Sequence, residues 1–166
     1  MTRLDVPGFQ ETLGAAMCGP ASLKIVLDYF GVHKSEQEIA GLASKTDLGT
    51  DDAGLARAAE SLGLRAVIKN ESSFDDIEQW LQKGVPVIVD WFTRGRSDYS
   101  DSDIADGHYS VVCGLDDDTV YLQDPEIGGL RAIPRKEFLK VWFDFSGETI
   151  KPDELIIRQM IAIYPE

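Results

Sequence analysis

The apolar pattern of this chain changes character near Val85, and that change limits the folds open to it more than any other feature. Before it, apolar residues recur at helical spacing. Pro20 suits the first turn of a helix, Leu23, Ile25, Val26, Leu27, Tyr29 and Phe30 supply its apolar side, and Gly31 is a natural stop. Ser35-Glu-Gln-Glu38 has capping-box spacing and predicts a short helix to Ala43. Thr50-Asp51 opens a third helix running to Gly63, and Ser73 a fourth running to Gly84, with Leu64–Ile68 between them as a strand. After the change, short runs rich in β-branched residues follow one another: Val85–Trp91, Tyr109–Val112, Val120–Leu122, Leu130–Ile133 and Ile156–Tyr164. Gly, Pro and Asp clusters separate them, as in an antiparallel sheet. Arg135–Phe143 interrupts the series as an amphipathic helix. The prediction is one α+β domain over residues 1–166, its N-terminal helices packed on a C-terminal antiparallel sheet.

With 166 residues, 43% of them hydrophobic, the chain can build a core without staples. Two cysteines are too few for a disulfide framework, and the start Met-Thr-Arg-Leu-Asp-Val-Pro lacks the basic and apolar regions of a secretory signal. The expectation is a reduced, cytoplasmic protein. No apolar run approaches the ~20 residues that span a bilayer, so no membrane association is expected. A net charge of −13 repels phosphate backbones and anionic lipid, which argues against nucleic acid as a partner. The same field would concentrate a cationic peptide or amine, although acidity serves solubility first. The oligomeric state stays open.

Cys18 falls just ahead of the first helix. Unpaired backbone N–H groups and the macrodipole at a helix N-terminus favour a thiolate, which is the nucleophilic form. Of the two histidines, His108 opens the strand His-Tyr-Ser-Val-Val-Cys-Gly, and Asp124 closes the next strand, Thr-Val-Tyr-Leu-Gln-Asp. Cys, His and Asp in that order suggest a cysteine hydrolase. The two latter residues straddle Gly114-Leu-Asp-Asp-Asp118. A turn there with an odd number of loop residues would set them directly opposite, with Cβ atoms about 4.5 to 5.5 Å apart. The carboxylate would then fix the tautomer of the ring while the other ring nitrogen faces the thiol. A one-residue slip would put them on opposite faces.

The remaining polar residues have plainer readings. Cys113, between Val112 and Gly114 in a strand, is a small buried hydrophobe, and His33 is a surface residue. Cys18, Cys113, His33 and His108 lack the paired spacings of a zinc site. The acidic stretch Asp98–Gly107 offers oxygen ligands but not the glycine and glutamate placement of an EF-hand, and reads as a solvated loop at the rim of the site. No metal and no cofactor is called for.

Gln10 followed by Cys18-Gly-Pro-Ala-Ser, then Gly107-His108-Tyr-Ser-Val-Val, Tyr121-Leu-Gln-Asp124-Pro125 and Glu137-Phe138 with Trp142 resembles the double-glycine leader peptidases of bacteriocin exporters and their stand-alone relatives, which are papain-like cysteine peptidases. The resemblance runs from about Val6 to Trp142. It implies a papain-like fold, with Cys18 as nucleophile, His108 as base and acid, Asp124 as orienter and Gln10 as oxyanion donor. It also implies a peptide or small amide as substrate, cleaved through a thioester. Two features depart from the pattern: Gln10 lies further ahead of the cysteine than is usual there, and Met17 stands where an aspartate is common. A catalytically silent peptide-binding module of the same fold and a papain-like transpeptidase are the alternatives.

Overall fold

A computed structural model of the chain describes residues 2–47, 49–93, 107–145, 153 and 155–166. Its helices are α1 (Cys18–Tyr29), α2 (Glu36–Leu42), α3 (Asp52–Ser61), α4 (Phe74–Gln82) and α5 (Arg135–Val141). Three of them start where the capping signals place them. The Ser35 hydroxyl accepts from the Glu38 N–H, the Asp51 carboxylate from the Gly54 N–H, and Ser73 and Asp76 cap each other reciprocally. The first helix starts at Cys18 itself, ahead of Pro20.

The main sheet contains β1 (Thr2–Arg3), β2 (Leu64–Lys69), β3 (Val87–Phe92), β4 (Gly107–Leu115), β5 (Thr119–Asp124), β6 (Gly129–Pro134) and β9 (Met160–Pro165). The order is β2-β9-β3-β4-β5-β6, with β1 on β4, and every pairing is antiparallel. A separate ribbon pairs β7 (Phe143–Phe145) with β8 (Leu155–Ile157). The run expected as one strand over Ile156–Tyr164 is therefore two. Arg158 breaks it with φ 46°, held there by its N–H on the Trp142 carbonyl and its Nε on the Ser72 carbonyl.

Helices cover both faces of this sheet. Leu23, Ile25, Val26 and Leu27 of α1, Ile39 of α2 and Leu55 of α3 pack on Ile88, Tyr109, Val111, Cys113, Ile161 and Ile163. On the other face, Ile77 and Leu81 of α4 and Phe138 of α5 pack with Val87, Val89, Trp91, Val112, Leu122 and Ala162. Double cover makes the central strands read as continuous apolar runs instead of alternating ones. The Glu137-Phe138…Trp142 motif belongs to this second core, where Phe138 lies 5.6 Å from Trp91 and 5.4 Å from Trp142 between ring centroids. Among the described residues no helix is long and apolar enough to cross a membrane.

Candidate active site

Cys18 is the first residue of α1, and it is partly exposed. The N-cap, Met17, makes no side-chain cap, and no acidic residue occupies the first turn. The amides at this helix start are therefore available to an incoming negative charge. Gly19 lets the helix start press onto the sheet: a Cβ there would lie 3.2 Å from Thr50 Cβ and 3.4 Å from the Tyr109 ring. Tyr109 follows His108 on β4, so this close approach brings the thiol to the strand that carries the imidazole.

His108 is 3% exposed and Asp124 fully buried, and His108 Nε2 lies 2.7 Å from Asp124 Oδ1. Burial alone would pull the pKa of the ring down. Hydrogen bonding to Asp124 and to Cys18, with the charges of both, outweighs that and holds it well above the ordinary histidine value. With Nε2 committed to Asp124, the Cys18 interaction falls to Nδ1. Trp91 presents itself edge-on to the ring, centroids 6.3 Å apart, and its indole N–H donates to the Ser110 hydroxyl at 3.0 Å.

His108 and Asp124 meet by a different route from direct opposition. The turn lies within the expected segment, since β4 ends at Leu115 and β5 begins at Thr119. The pairs beside it are Leu115 with Val120 and Gly114 with Tyr121. Continued without interruption, that register would set Asp124 opposite Val111, on the face away from His108. A bulge at Cys113 shifts it by one residue, pairing Val112 with Leu122 and Val111 with Gln123. One step further along, Asp124 faces Ser110, and His108 is its diagonal neighbour on the same face. The imidazole and the carboxylate span that diagonal.

Several residues of the site carried no signal in the sequence. Arg131 of β6 places Nε 2.5 Å from Asp124 Oδ2 and Nη2 3.6 Å from Glu126 Oε2. Asp90 of β3 is buried, and its carboxyl is pushed well above the carboxylate range, first by burial and then by Asp144 beside it. Asp144 sits on Gly107, where any Cβ would collide with its carboxylate. Tyr109 is likewise raised, by burial and by the nearby Asp90 and Cys18. These groups come from β3, β4, β6 and β7, and strands this distant in sequence show no spacing by which to associate them.

Gln10 lies against the turn that follows Asp124. It is exposed, and its Nε2 donates to the carbonyls of Pro125 (3.2 Å) and Glu126 (2.5 Å), so both amide hydrogens are taken. The segment around it is tied to β5 and the following turn by Gln123 Nε2 on the Val6 carbonyl and by the Glu11 N–H on the Pro125 carbonyl. Gly128 admits this contact, since a Cβ there would come within 3.0 Å of Gln10 Cβ. Gln10 thus braces the turn that follows Asp124. Gly14, expected in the intervening loop, adopts φ 73° there.

The other residues keep their plainer roles. His33 is exposed beside Asp28, at 2.9 Å. Cys113 is buried against the Tyr121 carbonyl and its thiol is pushed up to about 11, chiefly by burial. Ligand atoms of His108, Asp124 and Glu126 lie within 4.8 Å of one another, but the Arg131 guanidinium already supplies the cation between the two carboxylates. Apart from Gly107, the acidic stretch before His108 lies outside the described residues.

Residues 3–150 match the model of the Peptidase_C39 like family. An uncharacterized protein of the archaeon Methanothermobacter marburgensis is 35% identical over 136 residues, 80% of this chain and 79% of that protein. The transport/processing ATP-binding protein ComA of Streptococcus pneumoniae is 30% identical over 127 residues, 75% of this chain but only 16% of the transporter. In three dimensions the chain is similar to the crystal structure of the peptidase domain of Streptococcus ComA, with TM-score 0.74 at 19% identity, covering 97% of this chain and 99% of that domain.

Proposed function

From the premise that this chain belongs to the Peptidase_C39 like family of papain-like cysteine peptidases, we propose that it hydrolyses a peptide or related amide through a thioester on Cys18. The observation that carries the reading is the buried His108–Asp124 pair at 2.7 Å, whose imidazole takes Cys18, at an uncapped helix N-terminus, as its other partner.

In the resting pair, the Cys18 proton passes to His108 Nδ1, and Asp124 stabilises the imidazolium through Nε2–H. The thiolate attacks the scissile carbonyl, and the oxyanion turns toward the backbone N–H groups at the start of α1. His108 then gives its proton to the leaving amine as the C–N bond breaks, leaving the acyl group on sulfur. Neutral His108 next removes a proton from water, which attacks the thioester and releases the acid and the Cys18 thiol. An amine in place of water would make the same intermediate a transferase step.

One alternative is a binding module that holds a peptide in the same cleft without turnover, and the engagement of the Gln10 amide with the Pro125 and Glu126 carbonyls favours it. Intact-mass analysis after treatment with peptidyl vinyl sulfones, beside a fluorogenic peptide library, separates the two. The peptidase reading expects a single adduct on Cys18 and turnover that Cys18→Ala abolishes. Peptide binding with neither adduct nor turnover would leave the binding module.

A further inference from the structure

Asp124 is held from both sides by diagonal neighbours. On β4 the residue directly across is Ser110, and His108 reaches over from one pair further along. On β6 the residue directly across is Gly129, and Arg131 reaches over from its place opposite Leu122. Small residues at both directly opposed positions keep the approaches open. Each carboxylate oxygen then has its own charged partner: Oδ1 takes His108 Nε2 at 2.7 Å and the Glu126 N–H at 3.0 Å, and Oδ2 takes Arg131 Nε at 2.5 Å. Glu126 holds the far end of the guanidinium, at 3.6 Å, and the Arg131 side chain is only 13% exposed. Three strands thus present a continuous row, His108–Asp124–Arg131.

We propose that Arg131 is a positioning residue of this site, keeping Asp124 ionised and aimed at His108 while the ring gives up and regains its proton. This rests on the peptidase reading, in which His108 is cationic for one half of the cycle and neutral for the other. A fully buried carboxylate next to a neutral imidazole would be a desolvated charge with hydrogen bonds but no counter-charge, and would tend to take up the proton itself. The guanidinium, which stays charged throughout, removes that tendency. It also opposes the field of Asp124 at the ring, so that the imidazolium surrenders its proton to the leaving amine more readily than a bare His–Asp pair would allow. Its Nε on Asp124 Oδ2 and its Nη2 toward Glu126 pin the guanidinium between the two carboxylates, which a single point charge would not do.

The test reads His108 directly. The described ionisable groups around the ring are Cys18 on α1, Asp90 on β3, Asp124 and Glu126 at and beyond the end of β5, Arg131 on β6 and Asp144 on β7. With 13C-labelled histidine, the titration of His108 is followed by NMR beside exposed His33 as an internal reference, and the pH profile of Cys18 alkylation is recorded in parallel. In Arg131→Gln the midpoint of His108 should rise by about one unit or more, the size expected for removing a charge within this range, and the alkylation profile should move with it. Arg131→Lys keeps the charge but loses the two-ended anchoring on Asp124 and Glu126, and should give a smaller rise of the same sign; it carries the test alone if Arg131→Gln does not fold. A folded Arg131→Gln that is merely less stable, with the His108 midpoint unmoved or lowered, overturns the proposal, as does an unmoved midpoint in Arg131→Lys where only that variant folds. Neither readout needs peptide turnover. A rise in a protein that cleaves no peptide therefore supports Arg131 and removes the peptidase reading, while turnover without the rise does the reverse.

Discussion

The two cysteines should differ in reactivity by a margin that can be worked from their surroundings. Cys113 is 1% exposed in the bulge of β4, and burial pushes its thiol up to about 11, against a small opposing pull from Arg3. At pH 7.5 roughly 3 in 10⁴ of such thiols are ionised, against roughly one in ten for an ordinary exposed thiol, a ratio of about 300. The more basic thiolate is intrinsically the better nucleophile, by about tenfold over this interval, so proton equilibrium alone leaves roughly a 30-fold disadvantage. Reagent must also wait for local opening of the central sheet, which multiplies the difference. Cys18 is partly exposed, so reagent reaches it without such an opening. A time course with iodoacetamide at pH 7.5, followed by intact mass and peptide mapping, should therefore show Cys18 modified at least about 30-fold faster. In Cys18→Ala the remaining label should be slow and should rise about tenfold per pH unit toward pH 11. Labelling of Cys113 at the same rate as Cys18, or faster, would refute both the burial argument and the assignment of the nucleophile.

Other outcomes follow from the same contacts. Asp124→Asn takes from the largely buried guanidinium of Arg131 its Asp124 charge partner; a loss near 3 kcal/mol in urea unfolding is expected, the low end for breaking a buried pair, and Cys18 alkylation should lose its dependence on the raised His108 titration. The Asp90 carboxyl lies above its unfolded value, so its contribution is fully present below the unfolded pKa and is lost as pH rises through the folded one. Asp90→Asn should accordingly match the parent near pH 3 and be the more stable of the two at neutral and alkaline pH, and equal stability at pH 8 would count against a raised Asp90. Gly107→Ala drives a methyl into the Asp144 carboxylate and should cost about 1–3 kcal/mol by thermal unfolding. Gln10→Ala should leave the rate of Cys18 alkylation unchanged within about twofold while costing about 1 kcal/mol of stability for its two carbonyl contacts. A large fall in that alkylation rate would return Gln10 to the site.

Local signals determined a good deal of this protein. Caps at Ser35, Asp51 and Ser73, and the β-branched runs after Val85, specify elements within themselves, because a cap or an alternating face is decided by residues a few positions apart. Cys18 at a helix start and His108 and Asp124 on consecutive strands belong to the same class of information. What the tertiary structure decided is how those elements register. Gly114-Leu-Asp-Asp-Asp118 marks a turn, but whether Asp124 shares a face with His108 depends on one bulged residue, Cys113, and a bulge is set by the packing of both sheet faces instead of by any local spacing. The place of Gln10 follows from the docking of residues 6–11 along β5 and its turn, which brings its amide to the carbonyls of Pro125 and Glu126. Arg131, Asp90 and Asp144 acquire meaning only in the folded chain. In the sequence each is one of many solvated charges. Once separate strands bring them to a buried imidazole, low polarisability around them strengthens every interaction they make, and their protonation becomes a joint property of the site.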